Sequence, residues 1–304
     1  MLLGGVYRVA KERGGYLVLS DWELLRVSGK ERITFLHNMT TINVRDLPDH
    51  HATYGLTLTD RGKIQADFWL YRADPFVWLL FQPTLGTKTQ AFLERYIIME
   101  DVVIENVSGE WGAFLLIGSV AKAVLELKSE VGWGFSGRGI ASQNFYFITP
   151  KNLITLFQEK ILALDIPLLP DPLYEILRIE SGIPRYGIDF NESNIPWEAR
   201  LDEAIHHGKG CYIGQEIVER AFSRGEIKKE LFQFRMKGER SIPLGTKLFI
   251  DDHEAGFVTS SAVLPDSQNV VGLAYIQKKL LGKDRKFHLQ GGAEGFLIEI
   301  SKGD

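Results

Sequence analysis

Hydrophobic and polar positions change period several times along this chain, and each change marks an element. SGKERITFLHNM opens with Ser28 and places Glu31 three residues on, the capping-box spacing in which each side chain satisfies the other's backbone donor. It predicts a helix from about 29 to 38. ATYGLTLTDRGKIQADFWLYRADPFVWLLFQP (52–83) is rich in Thr, Leu, Phe and Trp and broken at Asp60 to Lys63 and at Ala73 to Pro75, which predicts three antiparallel strands. From Phe76 the texture runs strand (FVWLLF), helix (TKTQAFLERYI), strands (DVVIENV, WGAFLLIG), helix (VAKAVLELKSEV, 120–131) and strand (NFYFIT). That order predicts a ferredoxin-like motif, two crossover units sharing one sheet. Thr149 as cap and Pro150 in the first turn predict a helix to about Leu164, since proline's missing donor costs nothing there. Asp171, Pro172 and Gly182 start and stop another, and a short helix follows from near Gly214 to before Gly225. Beyond residue 229, short strands with glycine turns at close spacing predict a small separate all-β domain.

A chain of 304 residues exceeds what one core usually serves, so two or three domains are expected. With 45% apolar and 24% charged residues the composition is that of a soluble globular protein. The net charge of −4 gives no global attraction to polyanions. The basic pieces RGEIKKE (224–230) and KKLLGKDRK (278–286) therefore read as solvated faces, and direct tRNA contact is not expected. One cysteine forms no internal disulfide, which fits a reducing cytoplasm. MLLGGVYRVAKERGG is charged too early for a signal peptide, and no stretch approaches the about 18 apolar residues of a membrane span. A cytoplasmic protein without membrane association is the expectation.

GWGFSG (132–137) has the glycine spacing of a dinucleotide loop, but it follows a helical run and precedes a strand, the reverse of what that loop needs, so it reads as a turn. The pairs His50-His51 and His206-His207 point to opposite sides of an extended chain, and no metal site is expected. On the helix begun by Pro172, Leu173, Ile176, Leu177 and Glu180 share one face. A carboxylate ending an apolar stripe needs a partner: Arg178 or Arg185, or a ligand edge with two adjacent N–H donors such as a pterin's. The only cysteine, Cys211, lies in GKGCYIGQEIVER two residues from Lys209 and just ahead of a helix. The ammonium and the helix's positive end favour a thiolate there; the alternative is a buried cysteine packed as a small apolar group.

KGCYIGQE (209–216) resembles the signature of the YgfZ family, folate-binding relatives of the glycine-cleavage T-protein, an aminomethyltransferase. FLHNMTTINV (35–44), DRGKIQAD (60–67), LRIESGIPRYGIDF (177–190), IPWEARLD (195–202) and EAGFVTSSAV (254–263) extend the resemblance over nearly the whole chain. It implies an α+β fold: a three-domain T-protein-like ring with a discontinuous folate-binding domain (1–50 plus 150–226), a ferredoxin-like second domain (51–149) and a C-terminal β-barrel (227–304). It also implies tetrahydrofolate or another reduced folate as cofactor, and a role with iron-sulfur client or assembly proteins, including tRNA-thiolating enzymes. Glu180 is then the pterin-reading residue, with Asn38, Thr40, Asp67 and Arg185 as further folate contacts. Cys211, Lys209 and Asp67 carry the chemistry, and Glu180 and Cys211 are expected to border one hollow shaped for a flat heterocycle. One cysteine holds no four-thiolate cluster, so any cluster draws ligands from a partner. The transferase branch has paired aspartates where this chain has Ala66-Asp67, which counts against aminomethyl transfer, the alternative activity.

Overall fold

The computed structural model describes residues 3–120, 124, 131–137, 139–140, 144–225 and 227–300. Two compact units make up the chain: Met1–Arg8, Pro170–Asp202 and Glu216–Asp304 form one, Val9–Leu169 and Glu203–Gln215 the other. Helix α1 (Leu3–Glu12) contributes residues to both.

The Val9–Leu169 unit contains, in chain order, β1 (Gly15–Val18), β2 (Glu23–Ser28), α2 (Arg32–Met39), β3 (Ala52–Leu58), β4 (Ile64–Ala73), β5 (Phe76–Phe81), α3 (Leu85–Glu94), β6 (Val103–Asn106), β7 (Trp111–Ile117), β8 (Trp133–Ser136), β9 (Asn144–Pro150) and α4 (Ile154–Ala163). Five strands form one sheet in the order β3-β4-β5-β2-β6, and four form a second, β1-β7-β9-β8. The expected split of two crossover units in one sheet is present, but its frame lies earlier in the chain. It is β2-α2-β4-β5-α3-β6, with β2 antiparallel to both β5 and β6 and β3 added at the edge. Strands β7 and β9, read from sequence as the second half of that motif, pair instead with β1 and β8.

The faces of the two sheets meet through aromatic side chains. Tyr71 of β4 stacks on Trp133 of β8 with centroids 4.6 Å apart, Trp78 of β5 lies 5.2 Å from Trp133, and Trp69 lies 5.5 Å from Tyr146 of β9. Such pairs add to area burial through their quadrupoles, which explains why the strands here are rich in Trp and Tyr. GWGFSG supplies β8, a strand and not the expected turn. A Cβ on Gly134 would stand 2.3 Å from the carbonyl oxygen of Tyr146, so glycine is what lets β8 lie against β9.

Two caps read from sequence are not made, because a more distant partner takes the side chain. α2 begins at Arg32 without a side-chain cap, and the Glu31 carboxylate accepts from the backbone N–H of Asp101 at 2.7 Å. The Thr149 hydroxyl donates to the carbonyl of Val131 at 2.5 Å; β9 runs through Pro150, and α4 begins only at Ile154. Most of the helix expected over 120–131 lies outside the described residues.

The other unit holds α5 (Asp171–Glu180), α6 (Gln215–Arg224) and six strands: β10 (Lys229–Lys237), β11 (Lys247–Ile250), β12 (His253–Val263), β13 (Asn269–Gln277), β14 (Lys286–Leu289) and β15 (Glu294–Ile298). Both helices stop where their punctuation predicts, with Gly182 and Gly225 in the left-handed region past their ends, but Asp171, expected as the cap of α5, is its first residue, and Pro170 precedes it without a side-chain cap. The strands close into the expected C-terminal barrel, β10-β13-β12-β11-β14-β15, which leaves no free edge. Phe232, Phe234, Leu248, Val258, Ala274 and Phe287 fill its interior from alternate positions. A bulge on β12 between Val258 and Ser260 breaks that alternation and turns two consecutive hydroxyls, Thr259 and Ser260, onto the same oxygen of Asp189, each at 2.6 Å. Asp189 in turn accepts from Arg178 of α5 at 2.7 Å, a pair whose side chains are 1% (Arg178) and 0% (Asp189) exposed. Among the described residues no helix is long and apolar enough to cross a membrane.

Candidate functional site

Within the Val9–Leu169 unit the KGC segment is built on two glycines in the left-handed region, Gly208 at φ +76° and Gly210 at φ +104°. This backbone turns Lys209 inward and leaves Cys211 exposed. Lys209 is tied reciprocally to His37 of α2: its ammonium donates to the carbonyl of His37, and His37 Nε2 donates to the carbonyl of Lys209 at 2.8 Å. The ammonium also lies 5.0 Å from the centre of the Tyr212 ring. Burial and the Lys209 charge favour the neutral ring in His37, and with Nε2 as donor its buried Nδ1 is then an acceptor, without a hydrogen-bond partner among the described residues. His206, close by in sequence, accepts from the backbone N–H of Asn43 through Nδ1 at 3.0 Å, which also makes it neutral.

Burial, reinforced by repulsion from Arg45, pushes Lys209 down to about 8, with Cys211 acting in the opposite sense. Burial lowers His37 and His206 as well, and the Lys209 charge lowers both further. The environment around the thiol is therefore electropositive, with an amine that sheds its proton near physiological pH. Because the folded chain holds that proton less tightly than the unfolded chain, this group makes stability rise with pH between about 8 and about 10.4. Competitive acetylation followed by mass spectrometry should show Lys209 reacting with a midpoint near 8. A midpoint at the ordinary lysine value of about 10.4 would contradict the burial argument.

Asp67 of β4 is 5% exposed. Its Oδ2 accepts from Tyr54 at 2.9 Å and from Gln82 at 3.2 Å. Asn38 is exposed at the end of α2, and buried Thr40 donates to the carbonyl of Leu36 at 2.7 Å. Sequence reasoning passed over Thr41, whose buried hydroxyl donates to the carbonyl of Ala204 at 2.5 Å and accepts from Leu56 N–H at 3.0 Å. It stitches α2, β3 and the segment before the KGC loop together, and its place in the TT pair beside Thr40 was the available signal.

In the barrel-bearing unit, Glu180 closes α5 half-buried, and Oε2 accepts from the Tyr7 hydroxyl at 2.8 Å. Burial, then the Glu180 hydrogen bond and charge, raise Tyr7 well above the ordinary phenol range, so it stays a donor at any physiological pH. The arginines weighed from sequence as partners of Glu180 serve other acids. Arg178 binds Asp189 and Glu175, and Arg185 binds Glu175 at 2.7 Å. Gln233 of β10 donates to the carbonyls of Ile179 and Glu180, at 2.8 and 2.7 Å, and fixes the helix end that carries the carboxylate. The IPWEARLD segment is anchored by Trp197, whose indole N–H donates to the carbonyl of Val218 in α6 at 2.8 Å.

In one unit Asp67 and His37 Nδ1, and in the other Glu180, present acceptor atoms, and each taken by itself has the chemistry to meet an N–H donor such as those on a pterin edge.

Residues 7–133 match the GCVT N-terminal domain. The chain thus carries that domain, and its fold is aminomethyltransferase-like. The crystal structure of glycine cleavage system aminomethyltransferase T from Bartonella henselae superposes with a TM-score of 0.84 over 98% of this chain and 88% of that one, at 18% identity. The aminomethyltransferase of Halalkalibacterium halodurans is 25% identical, covering 89% of this chain and 80% of its own. A putative chloroplastic transferase of Arabidopsis thaliana is 27% identical, covering 93% of this chain and 69% of its own.

Proposed function

We propose that the protein is a folate-binding accessory factor that supports iron-sulfur cluster assembly or repair, with the Cys211 thiol as its reactive group. The observation that carries this reading is the KGC loop. The single cysteine of the chain is exposed, while the preceding lysine is buried, deprotonates easily and is locked to His37. A cysteine kept only for packing would be buried. Lys209 is the proton acceptor for the thiol, and Asp67 the carboxylate that serves the folate-side chemistry. Glu180 reads the pterin; Asn38, Thr40, Asp67 and Arg185 are the further folate contacts. Tetrahydrofolate is the cofactor, and the partners are iron-sulfur proteins or their assembly factors, including tRNA-modifying ones.

The decisive comparison is Cys211→Ala. Tetrahydrofolate affinity by calorimetry should stay within about twofold of the parent, because the thiol contributes no hydrogen bond of weight to a pterin. Cells relying on the variant should lose the activity of their iron-sulfur enzymes. Full support by the variant would remove the thiol from the mechanism, whatever the folate does.

A second reading, tetrahydrofolate-dependent aminomethyl transfer, is favoured by the relatives named aminomethyltransferase. Against it stands Ala66, fully buried where the transferases have an aspartate. Production of methylenetetrahydrofolate from an aminomethyl-lipoyl carrier would establish it. Absence of turnover at saturating folate would dismiss it.

A further inference from the structure

The two basic runs that read as solvated faces converge in the folded barrel unit. Lys228 and Lys229 from the first, and Lys278 and Lys279 from the second, line one cavity of about 710 Å³ whose floor includes Phe257 and Tyr275 of adjacent strands. That volume lies within the range of small-molecule sites. Two acids also reach the wall, but both are engaged. Glu254 pairs with Lys247 at 2.7 Å, and Glu198 accepts from the Asn194 side chain and the Ile195 backbone at 3.2 Å each. Lys278 pairs with Glu230 at 2.8 Å. Among the described residues no acid lies within ion-pair distance of Lys228, Lys229 or Lys279, so the lining lysines outnumber the lining acids, Glu198 and Glu254, by four to two.

The ring wall has one open face. Lys229 covers Tyr275, its ammonium 4.8 Å from the ring centre, and Tyr275 is buried. Phe257, 5.7 Å from Tyr275, is 40% exposed. Among the described residues no arginine lines the cavity. Lysines act as point charges that suit phosphate oxygens without the fixed fork of arginine. A flat apolar platform beside such a cluster suits a planar base that carries phosphates.

We infer that this cavity binds a nucleoside phosphate, its base against Phe257 and its phosphates among Lys228, Lys229 and Lys279. The ligand is a free nucleotide or the terminal nucleotide of an RNA strand. The site is independent of Glu180 and of Cys211.

Calorimetry on the full chain, with adenosine 5′-diphosphate at low salt, tests this. Binding is expected, weakening as salt rises because phosphate contacts release counterions. Lys228→Glu with Lys279→Glu should weaken it at least about tenfold, and Phe257→Ala by at least about fivefold, the low end for one lost stacking contact of about 1 to 3 kcal/mol. If thermal melts show either variant to be unfolded, Lys228→Gln with Lys279→Gln, or Phe257→Leu, replaces it. An eight-nucleotide single-stranded RNA separates the sources: tighter binding than the diphosphate assigns the site to a strand, equal or weaker binding to the free nucleotide. The inference falls if neither probe binds at millimolar concentration, if the variants bind as the parent does, or if inorganic phosphate matches the diphosphate. It also falls if tetrahydrofolate displaces the diphosphate, a result that would leave the folate reading standing.

Discussion

Asp189→Ala should lower the melting temperature of the barrel-bearing unit by about 8 to 16 °C, the equivalent of a loss of about 4 kcal/mol. Asp189 is the hub of a dry polar cluster. It accepts from Arg178, from the Thr259 and Ser260 hydroxyls and from the backbone N–H of Arg185. Alanine there leaves a guanidinium that is 1% exposed without its closest counter-charge, and water cannot reach it. Glu175 remains within 2.8 Å of Arg178 but is one third exposed and shared with Arg185, so it compensates only in part. Replacing both charges, Arg178→Met with Asp189→Leu, should recover more than half of the loss, because the uncompensated ion rather than the missing attraction carries most of the cost. Calorimetric melts decide. An alanine variant melting within 2 °C of the parent, an upper bound set by about 1 kcal/mol in a unit of this size, would show that the cluster is hydrated and weak.

That cluster also marks where sequence reading ends. Helices α5 and α6 were legible because their punctuation is local: Pro172 and Gly182 for one, Gly214 and Gly225 for the other. The barrel was legible because its interior positions alternate over a closed run of strands. Pairing over distance leaves no such mark. ELLRVS looks like any edge strand, yet β2 inserts between β5 and β6 and so shifts the whole crossover motif forward. Asp189 sits in RYGIDF as an ordinary loop acid, and only the β12 bulge, invisible in the pattern of EAGFVTSSAV, brings Thr259 and Ser260 onto it. Glu31 and Thr149 had the right spacing for caps but were claimed by Asp101 and Val131. Of the candidate site, residue types and local setting were readable, Cys211 in a glycine-flanked loop and Glu180 at the end of an apolar stripe, but the sequence left open whether the thiol is exposed or buried. Partners were not. Tyr7 lies 173 residues from Glu180, and His37 lies 172 from Lys209.

Glu180→Gln should weaken tetrahydrofolate binding by about 100-fold while leaving the melting temperature of its unit almost unchanged. The carboxylate has two acceptor oxygens and no donor, and Tyr7 occupies one lone pair of Oε2. A pterin edge with two adjacent N–H donors is met by both oxygens at once. Glutamine keeps the volume and the helix but turns one acceptor into an NH₂, so one contact of the pair becomes donor against donor. Losing one charge-assisted bond costs about 1.5 to 3 kcal/mol, and each 1.4 kcal/mol is about tenfold in affinity. Tyr7→Phe is the graded control. It removes the hydroxyl that positions Oε2 but not the acceptor itself, so binding should weaken only about fivefold, the effect of one neutral partner worth about 1 kcal/mol. Native affinity in Glu180→Gln would place the pterin elsewhere. An equal loss in Tyr7→Phe and Glu180→Gln would mean that the two act by holding α1 to α5, and the carboxylate would then have no part in reading the ligand.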